Sequence, residues 1–410
     1  MHLFEGYGIE LEYMIVDRET LSVRPLADKL LEQVGGSYEM EVELGSVAWS
    51  NELALHVIEL KTNGPTQSLS GLGATFREHV QRMDEILEPL GARLLPTAMH
   101  PWMDPETELR LWPHEHTDIY QTFHRIFNCR GHGWANLQST HINLPFADDP
   151  EFARLHAAIR VVLPLLPGLS ASSPFVEGTR SAFLDARLEA YRHNADSVFS
   201  VMGHVIPEPV FSTRDYQEGL LESIYRDLAP LDRDGVLRHE WVNARGCIAR
   251  FDRMALEIRL LDVQECPEAD IAVAGAVIEV VRALVEEAWV GVREQQRWHE
   301  RELAEILLEG IRDADQAVIS NRRFLETFGY PERGRTRMRD LWQHLIESVA
   351  ALNPSWNEWH SALDLFVREG CLATRIVDAA GLSPDRERLR EIYGSLADCL
   401  TNGELFRAGS

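Results

Sequence analysis

"GIELEYMIVD", residues 8–17, alternates apolar and charged side chains through its first six positions. A period of two marks a β-strand, with Ile9, Leu11 and Tyr13 on one face and Glu10 and Glu12 on the other. Two residues of strand span roughly 7 Å, so the two carboxylates project side by side from the polar face. Like charges so placed call for a neutralising partner.

Three further segments repeat the pattern. In "THINLPF" (140–146), His141, Asn143 and Pro145 oppose Ile142, Leu144 and Phe146. In "ALEIRLLDV" (255–263), Glu257 and Arg259 oppose Leu256, Ile258 and Leu260. In "HVIELKT" (56–62), Glu59 and Lys61 oppose Ile58 and Leu60. An antiparallel sheet with one wetted face would produce alternation alone. Its wet face would carry a mixture of Thr, Ser, Lys and Arg, whereas these faces carry mainly carboxylate and imidazole. Converging carboxylates raise one another's pKa unless a cation compensates them. Oxygen donors with one imidazole suit magnesium or manganese. No cysteine pair or paired-histidine spacing supports zinc. Divalent ions held by a few carboxylates, with phosphate oxygens in the remaining positions, are a common way to bind ATP.

Composition narrows the partners. The 410 residues are 45% hydrophobic and carry a formal net charge of −25, which repels nucleic acid and anionic membranes and leaves small molecules as the expected partners. No apolar run approaches the roughly 18 residues of a membrane span, and the N-terminus lacks the basic and apolar regions of a signal peptide. The five cysteines (129, 247, 266, 371 and 399) never form CxxC, so reduced thiols and a cytoplasmic location are expected. Only Lys29 and Lys61 are lysines, so arginine and metal ions would have to neutralise phosphate. The P-loop, the dinucleotide fingerprint and the GxSxG elbow are all absent.

Strand-like and helical runs do not alternate regularly. The expected fold is therefore α+β: a curved, mainly antiparallel sheet with a polar, metal-binding face, helices packed outside it and a helical C-terminal part. Helices are predicted within 71–94 and 149–172 (ended there by prolines), from 268 onward, and at the amphipathic runs 337–352 and 385–400. The stretch 100–116, rich in Pro, Trp and His, reads as an irregular loop over a site. Residues 1–297 are expected to form a catalytic core and 298–410 a helical part packed on it.

The motifs in order resemble the glutamate–cysteine ligases and related carboxylate–amine ligases, whose fold is similar to that of glutamine synthetase. "GIELEYMIVD" resembles the family's G-[IV]-E-x-E strand. "IELKTNGP" (58–65) resembles its E-x-x-T segment, with Glu52 seven residues before Glu59. "LQSTHINLPF" (137–146) resembles its H-x-N strand, and "LEIRLLDVQ" (256–264) its E-[IV]-R strand. "SASSPFVEGTRSAFLDAR" (170–187) resembles a segment running from S-P-F through E-G to an arginine, although Ser181, Ala182 and Asp185 stand where the family pattern has Thr, Gly and Ser.

The resemblance implies an ATP-dependent ligase that activates a carboxylate as an acyl phosphate and joins it to an amine, with glutamate and cysteine as default substrates. It further implies that Glu10, Glu12, Glu52, Glu59, His141 and Glu257 hold two or three Mg2+ ions (or Mn2+), with Glu257 and Arg259 acting in catalysis. Arg259 would neutralise the transferring phosphoryl group and Arg187 would grip a substrate carboxylate. Asn143, Arg125 and Arg130 are candidates for substrate contact and Arg375 for nucleotide contact. Because Glu52 and Glu59 are an odd number of residues apart, a bulge or bend is expected between them. A homo-oligomer is compatible with the sequence. Two other readings keep the same sheet: a phosphotransferase to a guanidino or amine nitrogen, and a metal-binding regulator without catalysis.

Overall fold

The computed structural model describes residues 1–331, 334–353, 356–381 and 383–409. Its main sheet has eight strands: β1 (Gly8–Asp17), β2 (Glu41–Leu44), β3 (Val47–Asn51), β4 (Val57–Thr62), β5 (Ala92–Leu95), β6 (Ser139–Pro145), β7 (Cys247–Arg250) and β8 (Ala255–Asp262). Seven run in the order β2-β3-β4-β1-β6-β8-β7, β5 pairs with β1 off this path, and every pairing is antiparallel. The ten-residue length of β1 lets it serve two neighbours on one edge: Gly8–Leu11 pair with β6, and Met14–Asp17 pair with β5. Its other edge pairs with β4 through Glu10–Met14, which places β1 at the centre of the polar face.

Alternation sorts the two faces as the sequence predicts. Ile9, Leu11, Tyr13, Ile58, Leu60, Ile142, Leu144, Leu256 and Ile258 are all fully buried in one hydrophobic core. Each such side chain contributes about 1.5–3 kcal/mol on leaving water. Three helices belong to that core: α1 (Leu72–Leu87), α2 (Asp149–Val162) and α3 (Pro267–Val285). α3 packs against both α1 and α2. It is apolar on nearly all sides, and this explains its central position, since such a helix has no face to offer water. Its fully buried carboxylate, Asp270, accepts hydrogen bonds from Thr140 on β6 and Tyr13 on β1, pinning the helix to the sheet.

Three local expectations need correction. The run 71–94 is helical only to Leu87; after a short 3-10 turn, residues 92–95 become strand β5, because their apolar side chains complete the edge of β1. The prolines at 164 and 167 do not end the helix beginning at Asp149; they sit in a 3-10 turn and at the start of the next helical piece, so helical structure continues to Ser170. That segment, 149–170, has the length and apolar composition of a membrane span, contrary to the sequence expectation, but 89% of its apolar window is buried inside the fold. The C-terminal runs form helices Met338–Val349 and Arg386–Asn402; the first packs in the central core, and the second packs mainly in a smaller cluster with Met14 and Val16 of β1 and Leu95 of β5. All five cysteines are buried and free.

Candidate active site

Strand register gathers the polar side chains. Glu10 lies opposite His141 on β6 and Lys61 on β4, Glu12 lies opposite Glu59, and Glu257 on β8 lies opposite Asn143. Residues directly opposite on neighbouring strands share a face, so seven functional groups from four strands converge. Glu52 joins them by the bend the sequence demanded. β3 ends at Asn51, and Glu52 keeps the parity of Ser50, which stands opposite Glu59. The loop 100–116 clamps this bend, since Trp112 N–H donates to the Leu53 carbonyl (3.0 Å) and Leu55 N–H to that of Arg110 (2.8 Å). It contains a short helix, Pro105–Glu108, and backs the Glu52 turn; none of its residues lines the cavity beside Glu52.

A hydrogen-bonded chain crosses the face. Glu10 Oε2 is 3.1 Å from His141 Nδ1, His141 Nε2 is 2.8 Å from Ser139 Oγ, and the Glu12 carboxylate accepts from both the Ser139 N–H (2.7 Å) and its hydroxyl (3.0 Å). Asn143 Nδ2 donates to the other Glu10 oxygen at 3.1 Å. Glu257 receives Arg250 at 3.0 Å and has Arg259 Nε at 3.2 Å. Lys61 bridges Glu59 (2.9 Å) and Glu41 (2.7 Å).

The charges follow from these contacts. Burial, with the nearby Glu59 charge, pushes the Glu12 carboxyl up despite His141 and the bonds from Ser139. Burial, then Glu12 and Glu59, pushes Glu52 well above the usual carboxylate range. Burial also opposes ionisation of Glu10 and Glu257. It is outweighed at Glu10 by His141 and Lys61 and at Glu257 by Arg259, His141 and Arg250, so both end below their ordinary values. At His141 burial works against the cation, but the bond to Glu10 and the charges of Glu12 and Glu257 raise it to about 9.

Two overlapping trios, Glu10–Glu59–His141 and Glu12–Glu52–Glu59, each offer ligand atoms within 4.8 Å of one another. Crowded carboxylates with raised pKa values mark an anionic cluster that the protein's own cations compensate incompletely. The donor set therefore fits magnesium or manganese.

Cavities open on both sides of this cluster. One of about 140 Å3 is lined by Glu12, Glu52, Trp134, Ser139, Tyr191, Arg187 and Arg259 among others. The second, about 430 Å3, adjoins Glu10, Lys61, Asn143 and Arg253, with Met1, Pro65, Pro145 and Met254 as apolar walls. A larger cavity of about 520 Å3, against Arg180, Arg339 and Arg368, contains none of the clustered carboxylates.

Arg187 lies on a short helix, Ala186–Tyr191, whose N-terminus is capped by Asp185 through a bond from Leu188 N–H (2.9 Å). Its Nε donates to Asp262, while its Nη2 is buried without a hydrogen-bond partner. Arg125 and Arg130 are exposed and line neither flanking cavity; Arg130 pairs with Glu106. Arg375 is not brought to the cluster. It is fully buried, with Nη1 2.6 Å from both Glu265 and the Phe406 carbonyl, an ion pair that ties the C-terminal part to the segment after β8. The residue expected to contact nucleotide thus lies apart from the carboxylate cluster. Sequence reasoning passed over Lys61, Ser139, Arg250, Arg253 and Tyr191. Strand parity with Glu59 and His141 was the available signal for Lys61 and Ser139, whereas the others are placed by tertiary packing.

Comparison with known proteins agrees with this architecture. A protein of Archaeoglobus fulgidus without an assigned role is 39% identical over 287 residues, 70% of this chain and 76% of its own. A protein of Dechloromonas aromatica provisionally named glutamate–cysteine ligase 2 is 29% identical over 56% of this chain and 58% of its own length. Among solved structures, the glutamate–cysteine ligase of Francisella tularensis in complex with AMP superposes with a TM-score of 0.61 at 11% identity, covering 97% of this chain and 89% of that one. A bifunctional glutathione synthetase of Pasteurella multocida does so at 0.60 and 14% identity, over 98% of this chain and 53% of that one. These two likenesses establish a shared fold. The model of glutamate–cysteine ligase family 2 matches residues 7–391, and the chain accordingly belongs to that family of ATP-dependent ligases.

Proposed function

We propose that the protein forms an amide between a carboxylic acid, by default glutamate, and an amine, by default cysteine, through an acyl phosphate. The reading is carried by one observation: carboxylates from β1, β4 and β8 and from the turn after β3 converge on one buried patch between two cavities. Glu10, Glu12, Glu52, Glu59, Glu257 and His141 would hold Mg2+. Bound there, the ions would neutralise the triphosphate and the developing charge of phosphoryl transfer.

The cavity beside Glu10 suits the nucleotide, because its apolar walls can take a base while Lys61 and Arg253 face phosphate. The cavity beside Glu12 and Glu52 suits the acid and amine. A carboxylate oxygen of the acid attacks the γ-phosphorus of ATP, ADP departs, and the amine nitrogen then attacks the acyl carbon. Phosphate leaves with the acyl C–O bonding pair and the nitrogen loses a proton. Arg259, fixed by Glu257, lies where it can balance charge on the transferring group, and the free Nη2 of Arg187 can hold the acid's second carboxylate. Positioning and charge neutralisation supply most of the catalysis such a reaction needs.

The test is phosphate release from ATP and Mg2+ with pairs of amino acids, which should require both an acid and an amine. ADP formed with a stable phosphorylated product and no phosphate release would point to a phosphotransferase. No release with any pair would remove the ligase reading.

A further inference from the structure

Met254 stands where strand parity and backbone preference both disfavour it. It is the last residue of the turn between β7 and β8, immediately before Ala255. Even-numbered positions of β8 face the core, where Leu256, Ile258 and Leu260 are fully buried. Just past the end of β6, Phe146 donates its N–H to the Met254 carbonyl at 3.0 Å and is itself fully buried. A regular strand would therefore send the Met254 side chain into the same core. Instead its φ is 52°, and the residue is 40% exposed.

A left-handed residue in a hairpin turn is most often glycine or asparagine, because a larger side chain is strained there. Three other large apolar residues, Phe4, Leu21 and Val205, share a positive φ, and each packs against a hydrophobic cluster. Met254 belongs to no such cluster among the described residues. Packing thus accounts neither for its backbone conformation nor for its exposed side chain. What it does line is the 430 Å3 cavity beside Glu10, together with Met1 and Pro65. Met1 lies so close over Gly6 that a side chain at Gly6 would collide with it. The preceding residue of the turn, Arg253, lines the same cavity and reaches to 3.6 Å from Glu10.

Resting on the nucleotide placement proposed above, we infer that Met254 grips the base of the nucleotide. The left-handed turn takes its thioether out of the core and offers it to the face of an aromatic ring, a contact that methionine sulfur favours. One short turn then serves both ends of the ligand, with Arg253 toward the phosphates and Met254 on the base.

Calorimetric titration with Mg2+ and ADP, and separately with Mg2+ and inorganic tripolyphosphate, tests this with no acid or amine present. Tripolyphosphate has the charge of the nucleotide and no base. Met254→Gly and Met254→Asn suit the left-handed turn and lack the thioether. Both should weaken ADP about two- to tenfold, the worth of a sulfur–ring contact. Both should leave tripolyphosphate binding unchanged and keep or raise the thermal midpoint. Met254→Leu, which restores an apolar side chain, should recover most of the lost affinity. Unchanged ADP affinity, or an equal loss for tripolyphosphate, overturns the inference. A lowered thermal midpoint in both the glycine and the asparagine variants overturns it too, since the side chain would then serve the fold. When the unaltered protein binds ADP, any of these failures removes this inference alone and leaves the ligase reading standing. No binding of ADP by the unaltered protein removes the nucleotide placement and this inference together.

Discussion

Ser139 holds Glu12 by two hydrogen bonds to one carboxylate oxygen, from its backbone N–H at 2.7 Å and from its hydroxyl at 3.0 Å. The same hydroxyl lies 2.8 Å from His141 Nε2, so one serine fixes the orientation of two candidate metal ligands. Groups that orient metal ligands typically matter by about 10- to 100-fold in affinity or activity. Ser139→Ala should therefore lower phosphate release within that range while the thermal midpoint changes little. Undiminished turnover would show that the serine does not position the site.

The carboxylate cluster makes a prediction about metal. Glu12 and Glu52 have raised pKa values because they are buried together near Glu59. A ligand that binds only the folded state stabilises it by mass action. Mg2+ should raise the thermal midpoint by several degrees relative to EDTA. Glu12→Gln should remove most of that rise and abolish ATP turnover, and Glu257→Gln should likewise abolish turnover with the fold retained. An active Glu257→Gln enzyme would refute its assignment as a ligand.

Arg187 is held by Asp262 and keeps Nη2 free. Replacing it with alanine would leave Asp262 buried and unpaired, so Arg187→Lys is the cleaner variant: it keeps the charge and loses the fork. The KM for the acid should rise about tenfold or more, with a smaller effect on kcat. An unchanged KM would place the acid elsewhere.

Arg375 and Glu265 form a fully buried pair. Removing one partner of such a pair costs about 3–5 kcal/mol. Arg375→Met should lower stability by that order in urea unfolding and leave the KM for ATP of the folded enzyme unchanged. A raised KM for ATP with unaltered stability would restore the nucleotide role expected from sequence.

Acid stability should depend on His156. Burial, helped by Arg160, lowers its pKa from 6.5 to about 3. The unfolded chain binds this proton and the folded one does not, so stability falls as pH drops from 6.5 toward about 3. One such site contributes a slope of about 1.4 kcal/mol per pH unit. In His156→Phe, whose ring can stack on Phe152 as the imidazole does, the slope between pH 6 and 4 should fall by about that amount. An identical slope would show that another group titrates there. Loss of the 2.7 Å bond to the Val210 carbonyl should cost about 1 kcal/mol at neutral pH.

Much of the fold and site was legible because strand alternation is a local property. Glu10 with Glu12, His141 with Asn143, and Glu257 with Arg259 share a face as soon as each segment is a strand. Even the bend before Glu59 followed from parity. Residues 92–95 escaped because a short apolar stretch after a helix has no periodicity of its own and becomes a strand only by finding an edge. The prolines at 164 and 167 misled because a proline at the first positions of a new helical turn needs no hydrogen bond from its nitrogen.

The sequence by itself determined the sidedness of each strand, the oxygen-rich character of the polar face and the family to which its motifs belong. Tertiary structure alone decided which cations attend that face. Arg250 and Lys61 are paired into the cluster, Arg187 is left with one free N–H group, and Arg375 is withdrawn into an ion pair with Glu265. A carboxylate on a strand is aimed by the backbone it grows from, but a long guanidinium side chain goes wherever burial and a partner carboxylate outweigh its hydration. Those partners are set by contacts between residues as far apart in sequence as Glu265 and Arg375.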